Sequence, residues 1–385
     1  MSMKKGIIIG AGIGGLTTAI TLVQKGVEVT IYEQASELKD VGAGIWIAPN
    51  GMKIFEKLQL AEQIISAGNL LKNISVVDTA YKPISTIHYH QIQAKYPQGT
   101  IAIHRAALQK ILLENLAPNK IVLGKTFQRF EQTPAAVQAI FTDGTAAEAD
   151  FLIAADGIYS KARQQIHPLQ KLRYAGQTCW RFIATIPVPK AEQHNMYEIW
   201  ANEKGLRVGY SKINAQQFYV FITYAAEPGG KDENGIVKNY LLQLCASFPA
   251  IVHQLIEAAH ESEIIRTDLW DFKPVKKWVQ GRVALLGDAA HATTPNLGQG
   301  ACQAIEDAFV LAHELVKSEH IETCLLNYQK KRLAKATYIT NTSWLLSNIT
   351  NSTGIEKKLW MFILRNTPNF INQLQLDKVY SVDDV

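Results

Sequence analysis

The sequence predicts an α/β fold in which a parallel βαβ layer is interleaved with an antiparallel sheet and followed by C-terminal helices. Three observations predict it. Residues 5–33 read as strand, glycine-rich turn, helix and strand. From about 171 to 225, short runs separated by turns replace the alternation of strand and helix. From Gln299 to about 368 the pattern is mostly helical.

Gly6–Ile9 is a short apolar run without alternation, as a strand covered on both faces requires. Leu16 to Lys25 has helical apolar spacing with Gly26 as C-cap, and Val27–Tyr32 supplies the next strand. A loop with Gly42 and Gly44 leads to a helix near Asn50–Leu58. Strand-like pieces follow at 73–78 and 84–89, a helix at 105–116, and strands near 121–123, 137–141 and 150–154. Tyr174–Ile186, Tyr197–Ala201, Leu206–Ser211 and Gln217–Tyr224 read as an antiparallel sheet with one apolar and one polar face. Helical patterns occupy 234–259, and a buried strand returns at Arg282–Leu286.

The chain has 385 residues and is 47% hydrophobic, enough for about two domains at ~150 residues each. A net charge of +5 is spread along the length without a run of five like charges, which gives no footprint for nucleic acid. Cys179, Cys245, Cys302 and Cys324 form no CxxC pair, so neither a zinc site nor dithiol chemistry is indicated, and a reducing cytoplasm fits. His88 and His90 share a strand but lack a third ligand, so no metal is expected. Met1-Ser2-Met3-Lys4-Lys5 and the apolar stretch to Val23 imitate a secretory signal, but Gly10, Gly12, Gly14 and Gly15 interrupt it. No apolar run reaches the ~18–20 residues of a membrane span.

Gly10-Ala11-Gly12-Ile13-Gly14-Gly15 is a GxGxxG directly after a strand and opening a helix. The first glycine permits the tight turn, the second lets backbone approach a pyrophosphate, and the third lets helix and strand pack closely. Glu33 ends the next strand, 18 residues after Gly15, where a carboxylate accepts both ribose hydroxyls. Together they mark a Rossmann-like adenine dinucleotide site. Asp156-Gly157 follows the apolar strand at 150–154. Asp288 follows the buried strand at 282–286, placed either to bind sugar hydroxyls or simply to cap the next helix. Pro295–Ala301 is a glycine-punctuated turn entering a helix, whose free N–H groups can face a flavin carbonyl.

In combination these segments resemble the group A FAD-dependent aromatic hydroxylases, the family of para-hydroxybenzoate hydroxylase. The resemblance spans nearly the whole chain in order. It includes Val41-Gly42-Ala43-Gly44-Ile45 with Pro49-Asn50, Ile103-His104-Arg105 with Leu108, and Asp156-Gly157 with Ser160 and Arg163. Gly176–Arg181 and Gly287–Ala301 are most similar to alkylquinolone 3-hydroxylases. FAD-dependent urate hydroxylase is also similar.

The resemblance implies a Rossmann-like FAD-binding domain of the glutathione-reductase type, in three parts at 1–72, 99–170 and 271–330. A substrate domain would comprise 73–98 and 171–270, and 331–385 would be a C-terminal helical region. It implies FAD as cofactor, with NADH or NADPH as transient co-substrate. O2 would be activated as a flavin C4a-hydroperoxide to hydroxylate a small aromatic or heteroaromatic substrate, quinolone-like by preference. The alternatives are an oxidase or epoxidase on the same fold, or a non-enzymatic binding protein.

Cofactor contacts would come from Gly10 to Gly15, Glu33, Gln34, Gly44, Ile45, Trp46, Arg105, Phe127, Asp156, Gly157 and Asp288. Pro295, Gly298, Gln299, Gly300, Ala301 and Cys302 would line the flavin. Arg207 and Tyr219 are the candidate catalytic residues, with Tyr210, Phe221 and Asn296 against substrate. Arg207 and Tyr219 have plain alternatives as a solvated sheet arginine and a core aromatic. Urate hydroxylase-like sequences carry an aspartate where this chain has Asn296, which makes urate the poorer substrate. His291 reads as structural. Trp344 and Trp360, with Leu345, Leu346, Met361 and Phe362, read as core or dimer packing, or as a face in weak peripheral contact with a membrane. The state would be monomer or homodimer.

Overall fold

The computed structural model describes residues 4–38, 42–187, 193–233 and 235–382. Met1–Met3, Val41 and Asn234, which entered the expectations above, lie outside the described residues.

A six-stranded sheet forms the first layer, in the order Val279–Gln280, Val283–Leu285, Phe151–Ala154, Lys5–Ile9, Glu28–Tyr32, Ile121–Val122. Its central strands pair in parallel. Ile7, Ile8, Leu152, Ile153, Val283 and Leu285 are buried, as expected for strands covered on both faces. The helices Ile13–Gln24 and Gly300–Leu315 pack against each other beside this sheet.

The second layer is a seven-stranded sheet, ordered Ile265–Phe272, Leu172–Thr185, Gln217–Tyr224, Arg207–Lys212, Asn195–Trp200, Asn73–Asp78, Pro83–His88. The strand-like pieces near 73–89 therefore join it. One expectation is corrected: the sheet is not wholly antiparallel, because Asn195–Trp200 and Asn73–Asp78 pair in parallel. These two strands come from distant stretches of chain, so no hairpin turn forces them to run oppositely. Its outer face is covered by the helices Val237–Leu244 and Ala250–Glu257, around buried Phe182, Val208, Tyr210, Phe218 and Leu255.

Two three-stranded sheets hold the other strands among the described residues: Phe127–Gln132, Val137–Phe141 and Ala146–Ala149, and Gly44–Ile47, Thr100–His104 and Asn69–Leu71. The helix Ile321–Asn351 runs past both layers and is followed by Gly354–Arg365 and Asn369–Tyr380. Trp344 stacks under the Arg173 guanidinium at 3.6 Å, and Trp360 packs with Ile84, Trp200 and Ile349. Leu345 and Phe362 stay exposed. Among the described residues no helix is long and apolar enough to cross a membrane, and all four cysteines are buried free thiols.

Candidate active site

The carboxyl edge of the parallel strands gathers the predicted turns. Lys5–Ile9 runs into Gly10–Gly15, Glu28–Tyr32 into Glu33, Phe151–Ala154 into Asp156-Gly157, and Val283–Leu285 into Gly287-Asp288. This is where open α/β sheets bind ligands. The glycines differ in role. Gly10 has φ +99°, and a Cβ there would lie 2.5 Å from the Ala155 carbonyl oxygen. A Cβ at Gly15 would lie 2.0 Å from the Gly10 oxygen, so both are fixed by backbone packing. Gly12 has an ordinary φ of −73°, and a Cβ there would meet nothing within 4 Å. Gly12 therefore borders open space rather than packed backbone. Gly12→Val should therefore fold normally yet lose bound flavin, checked as loss of the visible flavin absorbance of the purified chain against a thermal midpoint equal to that of FAD-free wild type.

The helix Ile13–Gln24 begins without a side-chain cap or an acidic residue in its first turn, and so does Gly300–Leu315. Both present free N–H groups and a partial positive charge. A Cβ at Gly14 would press on Leu286 and Ala304, which places the two helix starts side by side. Glu33 accepts the backbone N–H groups of Ala11 and Ala35 at 2.8 and 2.9 Å. Each carboxylate oxygen keeps lone pairs for a hydroxyl donor. Gln34 beside it is exposed, while Phe127 is buried in the core.

Asp288 stands in the cleft, 3.9 Å from where a Gly300 Cβ would be. Solvent reaches it, yet surrounding protein raises its pKa through burial, opposed by His291, Arg105 and Arg163. Burial likewise raises the carboxyl of Asp156, whose Oδ1 has no hydrogen-bond partner. Arg163 ties the two loops together: its Nη1 donates to the carbonyls of Asp288 and Ala289 at 3.4 and 3.2 Å, and its guanidinium stacks on Phe272.

Pro295–Leu297 forms a single 3-10 turn, closed by Gly298 in the left-handed region at φ +61°. Pro295 is exposed, while Gly298, Gly300 and Ala301 are half-buried. Two expectations are refined. The side chains of Gln299 and Cys302 point away from the cleft, because the polar and thiol groups find partners behind the turn. Gln299 Oε1 accepts from Asn50 Nδ2 at 2.9 Å, and Cys302 Sγ accepts from the Ala48 N–H at 3.3 Å. Both residues are buried.

Behind the turn lies a buried polar network that the sequence reading missed. Arg332 donates to Asp307 at 2.7 Å, to Glu306 at 2.6 Å and to the Gln303 amide at 2.7 Å. Asp307 also accepts from the Gly287 N–H and from His291, which stacks on Trp278. His291 is thus placed as a support. The available signal was the spacing of Gln303, Glu306 and Asp307, which put polar side chains on a buried helix face.

The inner face of the seven-stranded sheet meets this turn. Arg207 donates through Nη2 to Asn296 Oδ1 at 2.9 Å, through Nη1 to Glu198 at 2.7 Å, and through Nε to Thr223 at 3.2 Å. Asn296 donates onward to Thr294 Oγ1 and the Ser343 carbonyl. An aspartate could not make those donations. Trp46, on the strand Gly44–Ile47 with half-buried Ile45, donates to Ser211 Oγ at 2.8 Å. Its ring meets Tyr219 and Phe221 at centroid distances of 5.7 and 5.8 Å. A Cβ on Gly44 would strike Tyr219 at 2.3 Å, so loop and sheet touch closely. Arg105 is exposed at the start of its helix, and its charge acts on both Asp288 and Tyr219.

Tyr210 is misplaced in the sequence reading. Side chains alternate along a strand, so Tyr210 faces opposite to Arg207, Gly209 and Ser211. It is fully buried under the outer helices, with its hydroxyl 3.0 Å from that of Tyr81. Tyr219 and Phe221 share the inner face. Burial raises the Tyr219 hydroxyl to about 12, so it serves as a neutral hydroxyl near pH 7.

The donor set fits FAD: two carboxylates for sugar hydroxyls, two uncapped helix starts for phosphate and ring oxygens, an open cradle at Gly12 and an orphaned acceptor at Asp156. Residues 4–343 match the family described as FAD binding domain. The chain is 35% identical over 350 residues to aurachin C monooxygenase/isomerase of Stigmatella aurantiaca, covering 90% of each chain. It is 32% identical over 368 residues to 2-heptyl-3-hydroxy-4(1H)-quinolone synthase of Pseudomonas aeruginosa, covering 94% of this chain and 92% of that one. Its fold superposes on Klebsiella pneumoniae HpxO, solved with FAD and uric acid, with a TM-score of 0.91 at 29% identity over 99% and 97% of the two chains. The chain therefore belongs to the FAD-binding-domain family and is an FAD-dependent monooxygenase that draws on NAD(P)H.

Proposed function

We propose that this monooxygenase hydroxylates a small heteroaromatic ring, quinolone-like by preference, held between Trp46, Tyr219 and Phe221 on one side and the turn at Asn296–Ala301 on the other. The observation that supports it most is the bond from Arg207 to Asn296, which joins the substrate sheet to the flavin turn at 2.9 Å. Bound FAD supplies hydride acceptance from NAD(P)H and activation of O2.

The chain's own part is placement, dryness and charge. Glu33 and the Gly12–Gly15 backbone hold the adenosine and pyrophosphate end, and Asp288 holds sugar hydroxyls nearer the ring. The N–H groups entering Gly300–Leu315 stabilise negative charge on the reduced ring. Trp46, Tyr219 and Phe221 exclude water and orient an aromatic plane. Tyr219 donates a hydrogen bond to a ring oxygen. Asn296 brings no carboxylate to the turn, so the ring must carry its own electron-donating oxygen or nitrogen. Four free buried thiols support a cytoplasmic setting.

Arg207→Ala should lower kcat/KM for substrate-stimulated NAD(P)H oxidation by at least about tenfold, the scale of one charged hydrogen bond, while FAD content stays unchanged. Undiminished stimulation by aromatic ligands, including 4-quinolones and hydroxynicotinate, would remove Arg207 from the site. The parent test is a product that gains one oxygen from O2.

A further inference from the structure

The inner face of the seven-stranded sheet carries Arg173, Arg181 and Arg207, and among the described residues only Arg181 has no carboxylate partner. Arg207 is paired with Glu198 at 2.7 Å. Arg173 is paired with Asp271, and elsewhere Arg332 with Glu306 and Asp307. Arg181 stands in register with Phe221, whose ring meets Trp46. Its Nη1 donates to Thr267 Oγ1 at 2.6 Å, and its charge acts on the Tyr219 hydroxyl. Among the described residues no carboxylate forms an ion pair with it. Glu198 sits along the same row, past Phe221 and Gly209, three strand spacings or about 14 Å away.

The groups flanking Arg181 do not compensate its charge. Burial pushes the Cys179 thiol up, against the pull of Arg181 and Arg207. Tyr219 is held near 12. Both are neutral at ordinary pH, so Arg181 is an uncompensated cation among aromatic rings. Arg181 is half-buried; a charge partly withdrawn from water without a partner is costly, and a fold keeps one where a ligand brings the counter-charge. A guanidinium also offers a planar fork that matches a carboxylate or enolate oxygen.

We propose that Arg181 is the anion-recognition residue of the pocket, binding a negatively charged oxygen of the aromatic ligand across the intervening strand from Arg207. The assignment rests on the monooxygenase pocket proposed above and names its ligand class: a heteroaromatic ring bearing an oxyanion.

Two isosteric probes test it on the FAD-loaded protein: quinoline-4-carboxylate and its neutral amide. Binding is read from perturbation of the oxidised flavin spectrum, without turnover. The wild type should bind the carboxylate at least about tenfold tighter than the amide, the scale of one charged hydrogen bond. Arg181→Gln should erase that preference by weakening the carboxylate alone, and Arg181→Lys should keep part of it. Thermal midpoint and FAD content report on folding. Should Arg181→Gln fail to fold, the wild-type preference and the lysine variant still decide. A wild type that binds both probes equally, or neither, overturns the proposal, as does Arg181→Gln with an intact preference. Loss of the monooxygenase reading would look different: no FAD uptake, or no oxygen transferred to any ring.

Discussion

Asp288→Ala is expected to emerge from purification with little or no FAD, yet as a folded chain at least as stable as the unliganded wild type. The carboxylate stands where the cleft needs an acceptor for hydroxyls, beside Gly300 and opposite the Arg163 clamp. Losing charge-assisted hydrogen bonds at about 1.5–3 kcal/mol each would weaken FAD by roughly a hundredfold or more. Without ligand, the same carboxylate is a liability, since burial raises its pKa above the ordinary value. A carboxyl raised in the folded state destabilises the fold above that raised pKa, and the penalty vanishes below the unfolded value of about 4. The stability gained by Asp288→Asn, measured on FAD-free protein by denaturant titration, should thus be present at pH 7 and fade on acidification. Full flavin occupancy in the alanine variant would contradict the role given to Asp288.

Arg332→Ala is expected to destabilise the chain by about 3–5 kcal/mol, the cost of removing one partner from a buried ionic network. Glu306 would keep Lys335 at 2.8 Å, and Asp307 would keep His291. Neither replaces a guanidinium that bonds both acids and the Gln303 amide. Arg332→Lys should lose less, because the charge remains while the fork does not. His291 and Arg332 hold the Asp307 carboxyl well below the usual range against its burial. Its contribution is therefore full above the unfolded carboxyl value and is lost only as pH falls through the depressed folded one. The gap between wild type and variant in urea midpoint should persist into mildly acidic buffer. A variant within about 1 kcal/mol of wild type would show that the network adds little to the fold.

Much of the cofactor end was legible in the sequence because backbone geometry restricts residue choice there. Gly10 and Gly15 have no room for a Cβ, and Gly298 needs a left-handed φ. Such demands leave glycines at fixed spacing beside short apolar strands. Glu33 and Asp288 were legible for a related reason, since Glu33 directly follows a strand of that type and Asp288 stands three residues past the end of another. The substrate end was less legible. Arg207, Tyr219 and Phe221 do share one face, but Tyr210, three positions from Arg207 on the same strand, was placed with them in error. Counting by two along the strand separates them. The support behind the turn was hidden because its pairs join Arg332 to residues 25 and 26 positions earlier on another helix. Helical periodicity shows that Glu306 and Asp307 face inward, but not what meets them. Arg181 was visible only as one letter of a family-like segment; its importance comes from the carboxylate that is missing beside it.

The most direct measurement is a crystal structure of the FAD-loaded chain. One flavin nucleotide should span the cleft, its pyrophosphate against the backbone of residues 10–15 and its ring edge against the N–H groups of residues 298–301. A flavin seated elsewhere, or a purified chain that takes up none, would contradict the account.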